Sequence, residues 1–124
     1  MTASIVLIED EAALRELLVD ELKVRGYAVN EAANGEEGLQ KILKVKPDLI
    51  LCDRAMPGMS GYQVLERLRN GHPQYNDIPF VFLTALGDPR DRSAVEHLGP
   101  ADYIEKPVDF AVLHERLQRL LRAG

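Results

Sequence analysis

Short apolar runs alternate with stretches in which apolar positions recur every three or four residues. Ile5 to Ile8, Leu49 to Cys52 and Phe80 to Leu83 are continuous apolar segments, suited to strands covered on both faces of a parallel sheet. Ala28 to Ala32 and Ala101 to Glu105 mix polar with apolar residues, the pattern of strands with one side nearer solvent, and so belong at the sheet edges. Between the runs, Leu14, Leu17, Leu18 and Leu22 recur at helical spacing, as do Leu39, Ile42 and Leu43, then Val64, Leu65 and Leu68, so each interval holds an amphipathic helix. Phe110, Leu113, Leu117, Leu120 and Leu121 predict a last helix, and a weaker stripe at Ala94, Val95 and Leu98 predicts the one before it.

Turn and cap residues agree with this division. Gly26 ends the first helix, Asn34 and Gly35 open the second, Pro47 precedes the third strand, and Ser60 caps the helix that follows the Pro57-Gly58 turn. Five βα units result, too few for a closed eight-stranded barrel. The prediction is an α/β fold, an open doubly wound parallel sheet in a single domain spanning residues 1–124. The polar character of the second and fifth strands selects the order 2-1-3-4-5, and right-handed crossovers place helices on both faces.

Composition narrows the function classes. With 46% apolar and 28% charged residues, the chain can bury a core of its own. Lys and Arg number 15 against 20 Asp and Glu, a formal charge of -5, which repels a phosphate backbone and argues against direct nucleic-acid binding. Nothing approaches the roughly 20 apolar residues that span a bilayer, and no basic region precedes the first apolar run. The expectation is a soluble cytoplasmic protein with no membrane attachment. The lone Cys52 excludes an internal disulfide. It is expected to be a buried small residue; His72, His97 and His114 lack metal-ligand spacing and are expected at the surface. The run "GDPRDR" reads as a solvated loop.

In a parallel sheet of this type the residues just past the strands' carboxyl ends meet along one edge, where ligands bind. Glu9 and Asp10 follow the first strand, Asp53 ends the third, Thr84 the fourth, and Lys106 follows the fifth. Three carboxylates brought together repel one another unless a proton, a lysine or a metal offsets their charge. Mg²⁺ suits such oxygen ligands, because it is held by one or two carboxylates together with a phosphate-bearing substrate. Asp53 could then attack a phosphoryl group, with Lys106 offsetting charge on its oxygens and Thr84 hydrogen-bonding one oxygen of the product.

The segments "IVLIEDE", "LILCDRAMPGMSG", "FVFLTA" and "DYIEKP", in this order and spacing, resemble the receiver domain of two-component response regulators over essentially the whole chain. The resemblance implies a flavodoxin-like fold and a phosphoryl group donated to an aspartate by a partner histidine kinase or phosphotransfer protein. It implies Glu9 and Asp10 as metal-binding acids, Asp53 as the phosphoacceptor and Thr84 as the switch hydroxyl. Tyr103 is then the switch aromatic, Lys106 the family's lysine, and the Ala55 backbone carbonyl a further metal ligand. Mg²⁺ is the implied cation, with Mn²⁺ able to substitute, and the Lys106-Pro107 bond is implied to be cis. Such a domain takes part in its own phosphorylation and dephosphorylation without being a conventional turnover enzyme.

The sequence departs from the family pattern in places. Glu9 stands where Asp is most frequent, and its longer arm would reach Mg²⁺ through water. Arg54 and Ala55 replace apolar or larger residues, Ser60 replaces Asp, and Ala55 with Ala85 leaves the phosphoryl site open to transfer and hydrolysis. Phosphorylation is expected to draw Thr84 inward and let Tyr103 follow, altering the surface of the fourth helix, fifth strand and fifth helix. Arg90, Arg92, His97 and Arg116 share that surface with Glu96 and Glu115 and could pair two copies as a homodimer or contact a downstream protein or attached output domain. The chain ends three residues after Leu121, so no output domain is expected within it. A degenerate receiver that binds partners without phosphorylation is the nearest alternative. A flavin-carrier module or an aspartyl phosphohydrolase fits the acidic stretch after the first strand less well.

Overall fold

A computed structural model of the chain describes residues 2–85 and 96–123. Within them lie β1 (Ser4–Ile8), α1 (Ala12–Val24), β2 (Ala28–Ala32), α2 (Gly35–Val45), β3 (Leu49–Asp53), α3 (Gly61–Gly71), β4 (Phe80–Thr84), β5 (Asp102–Glu105) and α4 (Phe110–Ala123). Short 3₁₀ turns cover Pro73–Tyr75 and Glu96–Leu98. The five strands are all parallel, in the order β2-β1-β3-β4-β5, as the edge and centre patterns require. The predicted helix around Ala94 and Val95, the run "GDPRDR", and Arg90 and Arg92 fall outside the described residues.

Strand alternation divides the apolar residues between two faces. Val6, Ile8, Ile50, Cys52, Phe80 and Phe82 pack with Ile42 of α2 and Val64, Leu65 and Leu68 of α3. Their neighbours Ile5, Leu7, Leu49, Leu51, Val81 and Leu83 pack with Leu18, Val19 and Leu22 of α1 and Leu113 and Leu117 of α4. Every residue of β3 and β4 is buried. Leu17, counted among the inward positions of its stripe, is instead 56% exposed, as is Val24 at 82%. Leu18, Val19 and Leu22 already fill the contact of α1 with the sheet.

Local chemistry fixes where the helices start. Asn34 accepts the Glu37 N–H at 2.9 Å, and Ser60 forms a capping box with Gln63, whose N–H it accepts at 3.2 Å while the Gln63 side chain accepts the Ser60 N–H at 3.0 Å. Gly26, at φ 95°, turns the chain out of α1 in the left-handed region that favours glycine. Arg69 of α3 donates to the carbonyls of Leu98 at 2.7 Å and Gly99 at 3.3 Å, holding the turn that leads into β5.

Two glycines set how closely helices approach the sheet. A Cβ on Gly61 would lie 2.2 Å from the Asp53 carbonyl oxygen, and one on Gly38 would lie 2.4 Å from Ile8 Cδ1. The first obstacle is backbone and the second is the buried side chain of Ile8, whose Cγ1 would also lie at 2.5 Å. Gly61→Ala is therefore expected to destabilise the chain by about 1–3 kcal/mol. Gly38→Ala should cost less, because alanine in a helix interior regains up to about 1 kcal/mol. Urea unfolding of both variants checks the order; a lower midpoint for Gly38→Ala than for Gly61→Ala would contradict this packing.

Candidate functional site

The strand register carries polar side chains to one edge. Ile8 pairs with Cys52, Asp53 with Leu83, and Thr84 with Glu105, so Glu9, Asp53, Thr84 and Lys106 all lie at or just past strand ends. Backbone bonds continue the alignment beyond the strands: the Glu9 N–H donates to the Ala32 carbonyl at 3.1 Å, and the Lys106 N–H to the Thr84 carbonyl at 2.8 Å. The Lys106-Pro107 bond is cis, as the resemblance implies.

Glu9 is fully buried, with Asp53 at 4% and Thr84 at 3% exposure, while Asp10 is exposed. The carboxylates of Glu9, Asp10 and Asp53 each offer an oxygen within 4.8 Å of the others. The Lys106 ammonium stands 3.1 Å from Glu9 Oε1 and 3.1 Å from Asp53 Oδ2. The second oxygen of Glu9 accepts the Glu11 N–H at 3.1 Å, and Asp53 Oδ1 faces the Ala55 N–H at 3.4 Å. Ala55 is exposed at the rim.

Three carboxylates against one ammonium leave the cluster with an excess of negative charge, which fits a hard divalent cation. Burial and then the charge of Glu9 push the Asp53 carboxyl up to about 7, against the opposing effect of Lys106. Burial pulls Lys106 down, but the hydrogen bonds and charges of Asp53 and Glu9 outweigh it and hold the ammonium above its ordinary value. Burial, then Asp53 and Glu9, push the Cys52 thiol well up, so Cys52 is the inert core residue the sequence predicts.

Tyr103 lies half-buried on β5. It pairs with Phe82 in register and stacks on its ring at 6.0 Å, while its carbonyl accepts a 2.8 Å bond from Arg116. His97 is exposed near Tyr62, whereas His72 and His114 are only partly exposed, against Tyr75 and Tyr27. The partial burial of these two differs from the surface placement expected, because each ring packs edge-on against a tyrosine.

Sequence reasoning missed Arg15. Its Nη1 donates to the Glu9 carbonyl at 2.8 Å and its Nε meets Glu31 of β2 at 3.3 Å, so it braces the loop that carries the acids. A cation near the start of α1 opposes the helix dipole, a mismatch that signals a local anionic or carbonyl partner.

The model of the response regulator receiver domain matches residues 5–118, and the chain belongs to that family. Transcriptional regulatory protein AfsQ1 of Streptomyces coelicolor is 38% identical over 121 residues, 98% of this chain and 52% of that protein. The chain thus spans about half the length of such relatives. The signal receiver domain of a signal transduction histidine kinase from Syntrophus aciditrophicus superposes with a TM-score of 0.89 at 35% identity, covering 98% of this chain and 92% of that one. Chemotaxis protein CheY4 of Vibrio cholerae gives 0.90 at 29% identity, covering 97% and 99%. The fold is flavodoxin-like, as expected. Among the described residues no helix is long and apolar enough to cross a membrane.

The raised Asp53 value sets a pH dependence. An unfolded aspartate titrates near 3.9, so between that and about 7 the folded, metal-free chain binds the extra proton. Stability contributed by that proton is complete below the unfolded value and is lost as pH rises through about 7. Chelator-treated protein should therefore lose stability to urea from pH 5 to pH 8, and an Asp53→Asn variant should lose less. Equal losses in the two proteins would refute the assignment.

Proposed function

We propose that this receiver domain accepts a phosphoryl group on Asp53, in a Mg²⁺-dependent reaction, from a histidine kinase or phosphotransfer protein. The observation that carries this reading is the buried Asp53 carboxylate with Lys106 at 3.1 Å and two further acids beside it. Asp10, Asp53 and the backbone carbonyl of Ala55 would hold the cation, with Glu9 behind them through water; Mn²⁺ offers the same preference for oxygen and could substitute. When bound, the cation neutralises charge on the transferring phosphoryl oxygens. An Asp53 oxygen bonds to phosphorus as the phosphorus–nitrogen bond of the donor histidine breaks, and the imidazole departs with that electron pair. Lys106 offsets charge on the equatorial oxygens, and Thr84 hydrogen-bonds one of them in the product. Water later cleaves the acyl phosphate, returning Asp53 and inorganic phosphate, so the domain assists its own dephosphorylation.

The readout is proposed to pass from Thr84 to the stacked Tyr103 and on to the face of β5 and α4. A groove of about 400 Å³ there is lined by Tyr103, Glu105, Val112 and Arg116 among others. The partner is a downstream protein, an attached output domain or a second copy of the chain, and the setting is the cytoplasm. Relatives of twice this length named as transcriptional regulators support an attached output domain.

Acetyl phosphate with Mg²⁺ should add one phosphoryl group to the intact mass. Asp53→Asn or a chelator should abolish the gain, and Lys106→Ala should slow it by a factor on the order of 10²–10³. No gain in the unmodified protein, with Mg²⁺ binding verified separately, would favour a degenerate receiver. Replacing Ala55 with a larger residue should lengthen the lifetime of the phosphorylated form in the same assay; unchanged decay would remove the role given to the open rim.

A further inference from the structure

Asp10 is the acid placed to meet a cation from the open edge, yet no group grips its side chain. It is exposed and brings an oxygen within 4.8 Å of those of Glu9 and Asp53. Among the described residues its carboxylate has no hydrogen bond or ion pair. Its direction is therefore set by the chain on either side. The two carbonyls that flank it, of Glu9 and Glu11, are both held by Arg15: the guanidinium Nη1 donates to Glu9 at 2.8 Å, and the Arg15 N–H donates to Glu11 at 2.9 Å. Helix α1 starts without the side-chain cap that fixes α2 and α3, so the loop depends on this hold.

The guanidinium is itself oriented. Its Nε meets Glu31 Oε1 at 3.3 Å, on the edge strand β2, next to Ala32, whose carbonyl takes the Glu9 N–H. Lys41 of α2 donates in turn to the Glu31 carbonyl. A planar fork satisfies a carbonyl and a carboxylate together, with a rigidity that a lysine ammonium on its flexible stem lacks. By charge alone Arg15 would be a hindrance. It opposes the dipole at the start of α1, and its positive charge beside the acids competes with any divalent ion.

We infer that Arg15 is a positioning residue for the cation site: by gripping the carbonyls on both sides of Asp10 it turns that carboxylate toward Asp53, and Glu31 holds Arg15 in place from the edge strand. Arg15 does not touch the cation. The inference deepens the Mg²⁺-dependent reading and rests on it. Because Glu31 is half exposed, the clamp runs from the surface of β2 to the site, and whatever engages Glu31 tunes the affinity for the cation.

Opposite signs separate position from charge. Arg15→Gln removes a positive charge, so a purely electrostatic role would tighten Mg²⁺ binding; the clamp instead weakens it by about tenfold in calorimetry at fixed ionic strength. Arg15→Lys, which keeps the charge but loses the fork, should weaken it nearly as much. Arg15→Gln and Glu31→Gln should be non-additive when combined. In metal-free ¹⁵N-labelled protein, the Asp10 and Glu11 amide signals should shift or broaden in both Arg15 variants, while those of β3 and β4 stay in place and report an intact fold. Unchanged or tighter binding in Arg15→Gln, full affinity in Arg15→Lys, or unmoved Asp10 and Glu11 signals would each overturn the inference. Additive effects would remove the part given to Glu31. Failure of the unmodified protein to bind Mg²⁺ would sink the cation reading instead, with the metal-free amide signals still deciding the hold on Asp10.

Discussion

One ammonium between two buried carboxylates is the contact on which the site depends. Lys106 stands 3.1 Å from Glu9 and from Asp53, and neither acid is open to solvent. Such a cluster is unfavourable unless charge is offset and hydrogen-bonding groups are paired. One lysine offsets only part of it. Burial first, and then the charge of Glu9 that Lys106 leaves uncompensated, raise the proton affinity of Asp53, and the same excess charge is the reason a divalent cation fits.

The rest of the fold brings these groups together and keeps them close. Parallel strands end on the same edge, and the register of β1 with β3 and of β4 with β5 sets the acids, the threonine and the lysine at one level. Packing on both faces makes the central strands a stiff support. Gly61 lets α3 start against the Asp53 carbonyl, and Arg15 fixes the loop of the acidic pair from the side of β2. Lys106, on a flexible arm, is then the group best able to respond when the charge on Asp53 changes. In the proposed reaction that change is an added charge of about -1.5 to -2.

Most of the architecture could be read from the sequence because it rests on short-range patterns. The continuous apolar runs at Leu49 and Phe80 and the mixed run at Ala28 separated centre from edge, and Asn34 and Ser60 marked helix starts. Leu17 could not be sorted from Leu18, since a helical stripe is wide enough to admit either until the sheet chooses. Within the site, strand-end placement revealed Glu9, Asp10, Asp53, Thr84 and Lys106, while the role of the Ala55 carbonyl and of Tyr103 came from resemblance alone. The pairing of Glu9 with Lys106 and the brace from Arg15 were not legible. They depend on where a side chain points after distant segments have folded, and no local period encodes that direction.

The central claim is that the acids carry more negative charge than Lys106 can offset, so that proton and cation compete for Asp53. Calorimetric titration with Mg²⁺ in buffers of different ionisation enthalpy tests it most directly, because it counts protons released per ion bound. The account predicts release of a fraction of a proton near pH 7, falling to none well above it, with affinity that strengthens as pH rises through 7 and levels only well above it. Binding without proton release near pH 7, or no binding at all, would contradict it.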